Sequence, residues 1–287
     1  DIVTGCQMAN PSELFRAMAY GDPYPVKAFF VLGNNALMSY PNQHQIHRAM
    51  QNQELIVAHE LFLTPTAMLA DYVIPGDAFS ERNHISDTWN WTTRLSLSQK
   101  VAEPPEESSG TYQFWRDLAV RFGFEDRFPW KTPEELLDYR LSRSNRTFAE
   151  FEKSGFMEMP SPRYRKYRKD GFATPSGKVE LYSSVLEELG FDPLPYHREG
   201  PTPSLEYPYR VFNGVREDPF FQTGQRNISE LRQRCPIPRI FMHPTDAERD
   251  GLVDEEWVEL QTAYGKVSAQ LSVQPSMKEG HVRVPHG

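Results

Sequence analysis

Arg216 and Arg226 stand ten residues apart in "RVFNGVREDPFFQTGQRNI". Between them lie Glu217, two phenylalanines and the turn Gln222-Thr223-Gly224. A guanidinium fork grips phosphate or carbonyl oxygens in pairs, and small polar residues on a turn add donors and close backbone approach. The stretch therefore has the make-up of a seat for something anionic. Two further clusters are of the same kind. "VLGNNALMS" ends an apolar run on Gly33, Asn34 and Asn35, with the Ser39 hydroxyl downstream, and amides of a glycine turn can lie against a pyrophosphate. "LIVAHE" ends another apolar run on His59 and Glu60, and His286 closes "VPHG". Each has a plainer reading: an ordinary turn, a solvated strand end, an arginine paired with a carboxylate, a structural histidine.

Nothing in the chain points to a metal site. Cys6 and Cys235 are too few and too far apart for a zinc or iron–sulfur motif, and read as ordinary thiols. His44 and His47 read as a surface pair.

The elements that must carry these clusters follow from pattern. "PSELFRAMA" predicts a helix with Ser12 as its cap. "VKAFFVLG", "ELIVAHE" and "DYVIPG" predict buried strands. Between them "NQHQIHRAMQNQ" predicts a surface helix with an Ile46–Met50 stripe, and "TPTAMLA" a short one. Strand–helix–strand–helix–strand implies a parallel α/β unit, whose ligands bind at the carboxyl ends of the strands. Those ends hold Gly33–Asn35 and His59–Glu60. Residues 78 to 110 read as irregular. "TYQFWRDLAVRFGF" predicts an amphipathic helix burying Phe114, Trp115, Leu118, Ala119 and Phe122, and "TPEELLDYRL" another helix. After the proline-rich "REGPTPSLEYP" the pattern becomes short β-branched strands, with a hairpin expected at Tyr264-Gly265 and a short helix in "HPTDAERDGL", capped and oriented by His243 and Asp246.

The 287 residues carry a net charge of −8, which disfavours a general nucleic-acid surface. The one dense basic run, "SPRYRKYRK", reads as a solvated loop. No apolar run reaches bilayer-spanning length. The start, "DIVTGCQMAN", has neither the basic region nor the apolar core of a signal peptide, and reads as processed or cut from something longer.

Six segments in order resemble the molybdopterin oxidoreductases of the dimethyl sulfoxide reductase family: "VLGNNALMS", "ELIVAHELFLTPTAMLADYVIPG", "GFATPSGKVELYSSVLEELGFDPLPYH", "NGVREDPFFQTGQRNISEL", "MHPTDAERDGLVDEEWVELQTAYGKV" and "VPHG". The resemblance covers nearly the whole chain and implies the C-terminal portion of a catalytic subunit. It implies a fold that is α/β plus β: a partial dinucleotide-binding parallel α/β domain with helical additions (residues 1–160), a connecting strap (161–206), and a C-terminal six-stranded double-psi β-barrel (207–287). It implies the cofactor bis(molybdopterin guanine dinucleotide) with molybdenum or tungsten. An iron–sulfur cluster and the protein ligand to the metal are expected only in a preceding part. Gly33, Asn34 and Asn35 match the family's G-x-N/D-P turn, with Ala36 where proline is common, and Ser39 its hydroxyl. His59 and Glu60 stand where relatives have Gln-Asp, so the carboxylate could read guanine. Arg216 and Glu217 match an Arg-Glu step. Gln222, Thr223 and Gly224 supply small donors, Arg226 binds phosphate or pairs with a carboxylate, and His286 lies beside the pterin. Catalytic residues are not assigned.

The implied partners are a small-molecule substrate, the rest of the catalytic subunit and an iron–sulfur electron-transfer subunit. Neither nucleic acid nor a direct membrane span is implied. Metal-centred two-electron chemistry on a small oxyanion is the implied reaction, with this portion inactive alone. The family also has non-redox hydratases. The alternative is a guanine-dinucleotide-binding or scaffold module without turnover. The compartment, prokaryotic periplasm or cytoplasm, is left open.

Overall fold

A computed structural model describes residues 9–86, 94–159, 163–200 and 202–286. Cys6, Ser161, Pro162 and Gly287 lie outside the described residues. The chain divides into two compact units. One runs to Asn34 and then from Met50 to Leu194; the other takes Asn35–Ala49 and the chain from Pro195 onward.

The first unit opens with α1 (Pro11–Tyr20), capped by Asn10 rather than Ser12: the Asn10 side chain accepts from the Ser12 amide, and Gly21 closes the helix at φ 71°. Ser12 already lies inside the first turn, where its own amide is an orphan needing a cap. Strand β1 (Ala28–Leu32) is followed by α2 (Ala36–Ser39) and α3 (Gln43–Gln51), whose residues up to Ala49 belong to the second unit, and the chain returns to the first unit for β2 (Leu55–Glu60). Ile46 and Met50, the expected stripe of α3, are buried. A 3-10 turn at Ala67–Leu69 replaces the expected short helix, opened by the Thr64 hydroxyl accepting from the Ala67 amide. Strand β3 (Tyr72–Pro75) follows. The three strands are parallel in the order β1-β2-β3, as the apolar runs predict.

The stretch expected to be irregular contains strands. Strands β4 (His84–Ser86), β5 (Arg94–Ser98) and a later β6 (Phe156–Glu158) form an antiparallel sheet. Between them run α4 (Thr111–Arg121), α5 (Pro133–Ser142) and α6 (Phe148–Ser154). Ile85, Leu95, Leu97 and Met157 of the sheet pack on Leu137, Leu141, Phe148 and Phe151 of α5 and α6. The expected inner face of α4 holds through Ala119, which is buried, and through the half-buried Phe114 and Trp115, both set at a tilt against Phe30, but Phe122 is exposed because the helix ends at Arg121. Two short helices, α7 (Tyr167–Asp170) and α8 (Ser184–Glu188), complete this unit. No described helix is long and apolar enough to cross a membrane.

The second unit is built on a curled mixed sheet of five described strands, against the six the resemblance implies. They are β7 (Arg210–Arg216), β8 (Arg239–Met242), β9 (Trp257–Thr262), β10 (Gly265–Val273) and β11 (His281–His286), in the order β7-β11-β8-β10-β9. The β7–β11 and β8–β10 pairs are parallel; β11–β8 and β10–β9 are antiparallel. Helix α9 (Ser229–Arg234) precedes β8. The core joins Ile240, Met242, Ala269, Leu271 and Val282 of the sheet to Ala247 of α10 (Pro244–Asp250). His243 caps α10 through Nδ1, as expected, and Gly251 ends it at φ 70°. Asp246 does something other than capping. It is fully buried, accepts from the Gly280 amide at 2.7 Å and pairs with Arg249 at 2.8 Å, so it ties α10 to the start of β11. The β9–β10 hairpin turns on Ala263-Tyr264, one residue earlier than expected, because Gly265 already pairs with Thr262.

Candidate functional site

The parallel sheet brings the first unit's polar residues to one edge. Leu32 lies beside His59 in the sheet, and the Gly33 amide donates to the His59 carbonyl at 3.0 Å. Gly33 takes φ 56°, a left-handed turn that glycine enters without strain. His59 itself is turned inward. It is 5% exposed, its Nε2–H donates to the Ser109 carbonyl at 2.6 Å, and its ring lies 5.7 Å from that of Phe114. A carbonyl only accepts, so this contact fixes the proton on Nε2. Gly76 makes the room: a Cβ there would come within 3.1 Å of the imidazole. Glu60 is half-buried, and one carboxylate oxygen accepts from the Leu61 amide at 2.9 Å. At the next strand end Asp77 is 9% exposed and pairs with Arg82.

In the second unit three of the expected residues meet in one cleft. Met38, Ser39, Tyr40, Pro41, Asn213, Gln222 and His286 line a volume of about 280 Å³. That is just below the ~300–1,000 Å³ of typical small-molecule sites, so it takes one edge or end of a long ligand. The lining offers a hydroxyl, two amides, a phenol and an imidazole, and no carboxylate to repel an anion. Arg216 is the strand partner of His286, which sets a permanent cation beside the cleft.

The loop after β7 explains how Gln222 reaches this place. The Phe220 amide donates to the Glu217 carbonyl, and the Gly224 amide to the Phe221 carbonyl, each at 2.9 Å. Gln222 sits between these turns at φ 52°. A Cβ on Gly224 would lie 3.1 Å from the Phe221 carbonyl oxygen, so glycine keeps the loop tight. The guanidinium of Arg216 lies over Phe221 and that of Arg226 over Phe220, each at 4.5 Å. Glu217 turns to Cys235: burial first, then a hydrogen bond to this carboxylate, pushes the thiol up to about 11. Thr223 is half-buried in the same loop.

Sequence reasoning missed Met38, Tyr40, Pro41 and Asn213. Asn213 did carry a signal, a lone amide inside an apolar strand run. Among the described residues no group of three or more histidines, cysteines or carboxylates could hold a metal ion.

Comparison with known proteins bears on what this cleft takes. Residues 9–121 match the family model of molybdopterin oxidoreductases, and residues 211–287 that of the molydopterin dinucleotide binding domain. The chain is 44% identical to acetylene hydratase of Syntrophotalea acetylenica over 99% of its own length and 40% of that protein. It is 26% identical to trimethylamine-N-oxide reductase of Haemophilus influenzae, covering 92% of this chain and 36% of the relative. The solved structure of acetylene hydratase from Pelobacter acetylenicus superimposes with a TM-score of 0.90 at 44% identity, over 98% of this chain and 40% of the other. The chain belongs to the molybdopterin oxidoreductases of the dimethyl sulfoxide reductase family. It spans about two-fifths of the length of these relatives.

The cleft fits the organic part of such a cofactor. Amides and an imidazole match the donor and acceptor edges of a pterin, and Arg216 suits a phosphate. The described residues offer that group contacts, and no ligand set for its metal.

Proposed function

We propose that this chain is the C-terminal cofactor-binding part of an enzyme carrying bis(molybdopterin guanine dinucleotide) with molybdenum or tungsten. The convergence of Ser39, Asn213, Gln222 and His286 on one cleft, with Arg216 alongside, carries this reading. Asn213, Gln222 and His286 hold the polar edge of the pterin. Arg216 faces a phosphate, and Thr223, Gly224 and Arg226 shape the loop that presents Gln222. The turn at Gly33, Asn34 and Asn35 approaches a pyrophosphate, and the second carboxylate oxygen of Glu60 accepts from guanine. His59 supports that strand end from inside, and Glu217 is held by Cys235. The curled sheet is read as this chain's form of the double-psi barrel. Residues 1–160, 161–206 and 207–287 are read as the α/β, strap and barrel parts. An iron–sulfur cluster belongs to another part of the full protein, with an iron–sulfur electron-transfer subunit as partner.

When bound, the metal supplies two-electron or Lewis-acid chemistry, and the protein binds and orients the cofactor. The family's habit supports two-electron chemistry on a small oxyanion. A second reading is hydration of a small unsaturated substrate without net redox change. The 44% identity to acetylene hydratase over nearly the whole chain favours it.

The full natural protein, purified from a molybdopterin-producing host, is expected to hold about one metal ion and about two GMP equivalents per chain. Addition of water to acetylene without an electron acceptor supports the hydratase reading. Oxidation of a reduced viologen by an oxyanion supports the redox reading. Cofactor without either turnover leaves a binding module, and folded protein with neither metal nor GMP overturns the proposal.

A further inference from the structure

Strands β7 and β11 run in register from Arg210 beside His281 to Asn213 beside Val284, and the next pair is Arg216 with His286. Two residues of β7, Gly214 and Val215, therefore stand opposite the single Pro285 of β11. This is a bulge, one extra residue in one strand. Its placement has a local cause. β11 lies between β7 and β8, and a proline in an inner strand cannot donate to the ladder, so it sits where the ladder is interrupted.

The bulge decides which residue stands beside His286. In an unbroken register His286 would pair with Val215, and Arg216 would fall on the opposite face from Asn213. The extra residue brings Arg216 level with His286 instead, at the strand end where Asn213 and His286 line the cleft.

Arg283 packs over this point. It is the strand partner of Phe212 on one side and Phe241 on the other. Its guanidinium lies 3.8 Å from the centre of the Phe241 ring. Its stem fills the space a side chain at 214 would need: a Cβ on Gly214 would lie 2.5 Å from Cδ and 2.6 Å from Cγ. Its Nε is buried with no hydrogen-bond partner among the described residues. A long cation set over an aromatic ring with a buried donor that has no partner among the described residues is poorly explained by its own polar contacts. It is well explained by the space it fills.

We infer that Arg283 is a positioning residue: its stem over Gly214, pinned by Phe241, holds the β7 bulge and so sets Arg216 beside His286. The consequence for the cofactor rests on the function proposed above; the register itself does not.

The test reads the two separately in the full natural protein. Cysteine pairs Arg216→Cys/His286→Cys and Val215→Cys/His286→Cys are treated with a short bis-maleimide, and the linked peptides are counted by mass spectrometry. With Arg283 present the 216–286 product is expected to exceed the 215–286 product by about tenfold. Arg283→Ala should reduce that preference to about twofold or less, and Arg283→Lys, which keeps a stem and a charge, should retain it. Should Arg283→Ala fail to fold, Gly214→Ala disturbs the same contact from the other strand and is expected to give the same loss. With native residues at 215, 216 and 286, Arg283→Ala should also lower bound GMP about fivefold. An unchanged cross-linking preference in Arg283→Ala and Gly214→Ala overturns the inference. A lost preference with GMP fully retained supports the register device and counts against the cofactor reading.

Discussion

His59 and His286 both stand at the carboxyl end of a parallel-paired strand, one in each unit. The family resemblance implies a place near the cofactor for both. The fold treats them differently. His59 is 5% exposed, spends its N–H on the Ser109 carbonyl and lies against Gly76 and Phe114. His286 lines an open cleft with Ser39, Asn213 and Gln222. The same residue type at the same kind of strand end is thus packed inside one unit and lines an open cleft in the other. What separates them is what packs on top. The first sheet is covered by α4 and the segment ending in Ser109, whereas His286 follows a bulge at the end of the second sheet, where Ser39 arrives from the end of α2 and Gln222 from the loop after β7.

Asp246→Ala should have the largest effect, because it strands the Gly280 amide at the root of β11. A loss of about 1–2 kcal/mol is expected from an unmet, partly buried donor, read as a lower urea midpoint. Arg216→Ala should leave stability nearly unchanged and cut GMP retention by about tenfold or more, the scale of one charge-assisted contact. Equal retention in Arg216→Ala would break the assignment of the cleft.

A smaller, pH-dependent effect belongs to Cys235. Burial and then the Glu217 hydrogen bond raise its pKa from 9.0 to about 11. The folded state thus holds the proton longer than the unfolded state. The resulting stability is complete below pH 9 and is lost as pH rises through about 11. Alkylation of this thiol by iodoacetamide should be slow at pH 8 and accelerate only well above pH 9; fast labelling at pH 8 would show that Glu217 is not held by it. The smallest effect is expected at Lys266, whose ion pair with Glu259 is exposed on the hairpin: Lys266→Ala should shift stability by less than about 1 kcal/mol and leave GMP untouched.

Much of this arrangement was written locally. The apolar runs around Phe30, Val57 and Val73 predict the parallel strands, and the proline and glycine flanking "TDAERD" mark α10. Elements of three residues were not legible: β4 and β6 are too short for a period to show, and "RLSLS" alternates only across the span of Leu95 and Leu97. Asn10 took the cap from Ser12 because Pro11 fills the first helical position, where its missing amide costs nothing. In the site, Ser39, Gln222 and His286 were found through the family resemblance. Asn213 was missed because its place in the cleft depends on Ser39, Gln222 and His286, which lie far from it in sequence or beyond a turn. The burial of His59 depends on Gly76 and on Ser109, fifty residues away, and no local pattern reports such a contact.

The most direct measurement is therefore a paired one in the full natural protein: melting temperature and GMP per folded chain for His59→Gln and His286→Ala. His59→Gln should lower the melting temperature and keep GMP within about twofold, while His286→Ala should leave the melting temperature nearly unchanged and lose GMP about tenfold. The reverse pattern, with GMP lost from His59→Gln and kept in His286→Ala, would contradict the assignment of the cofactor cleft to the second unit.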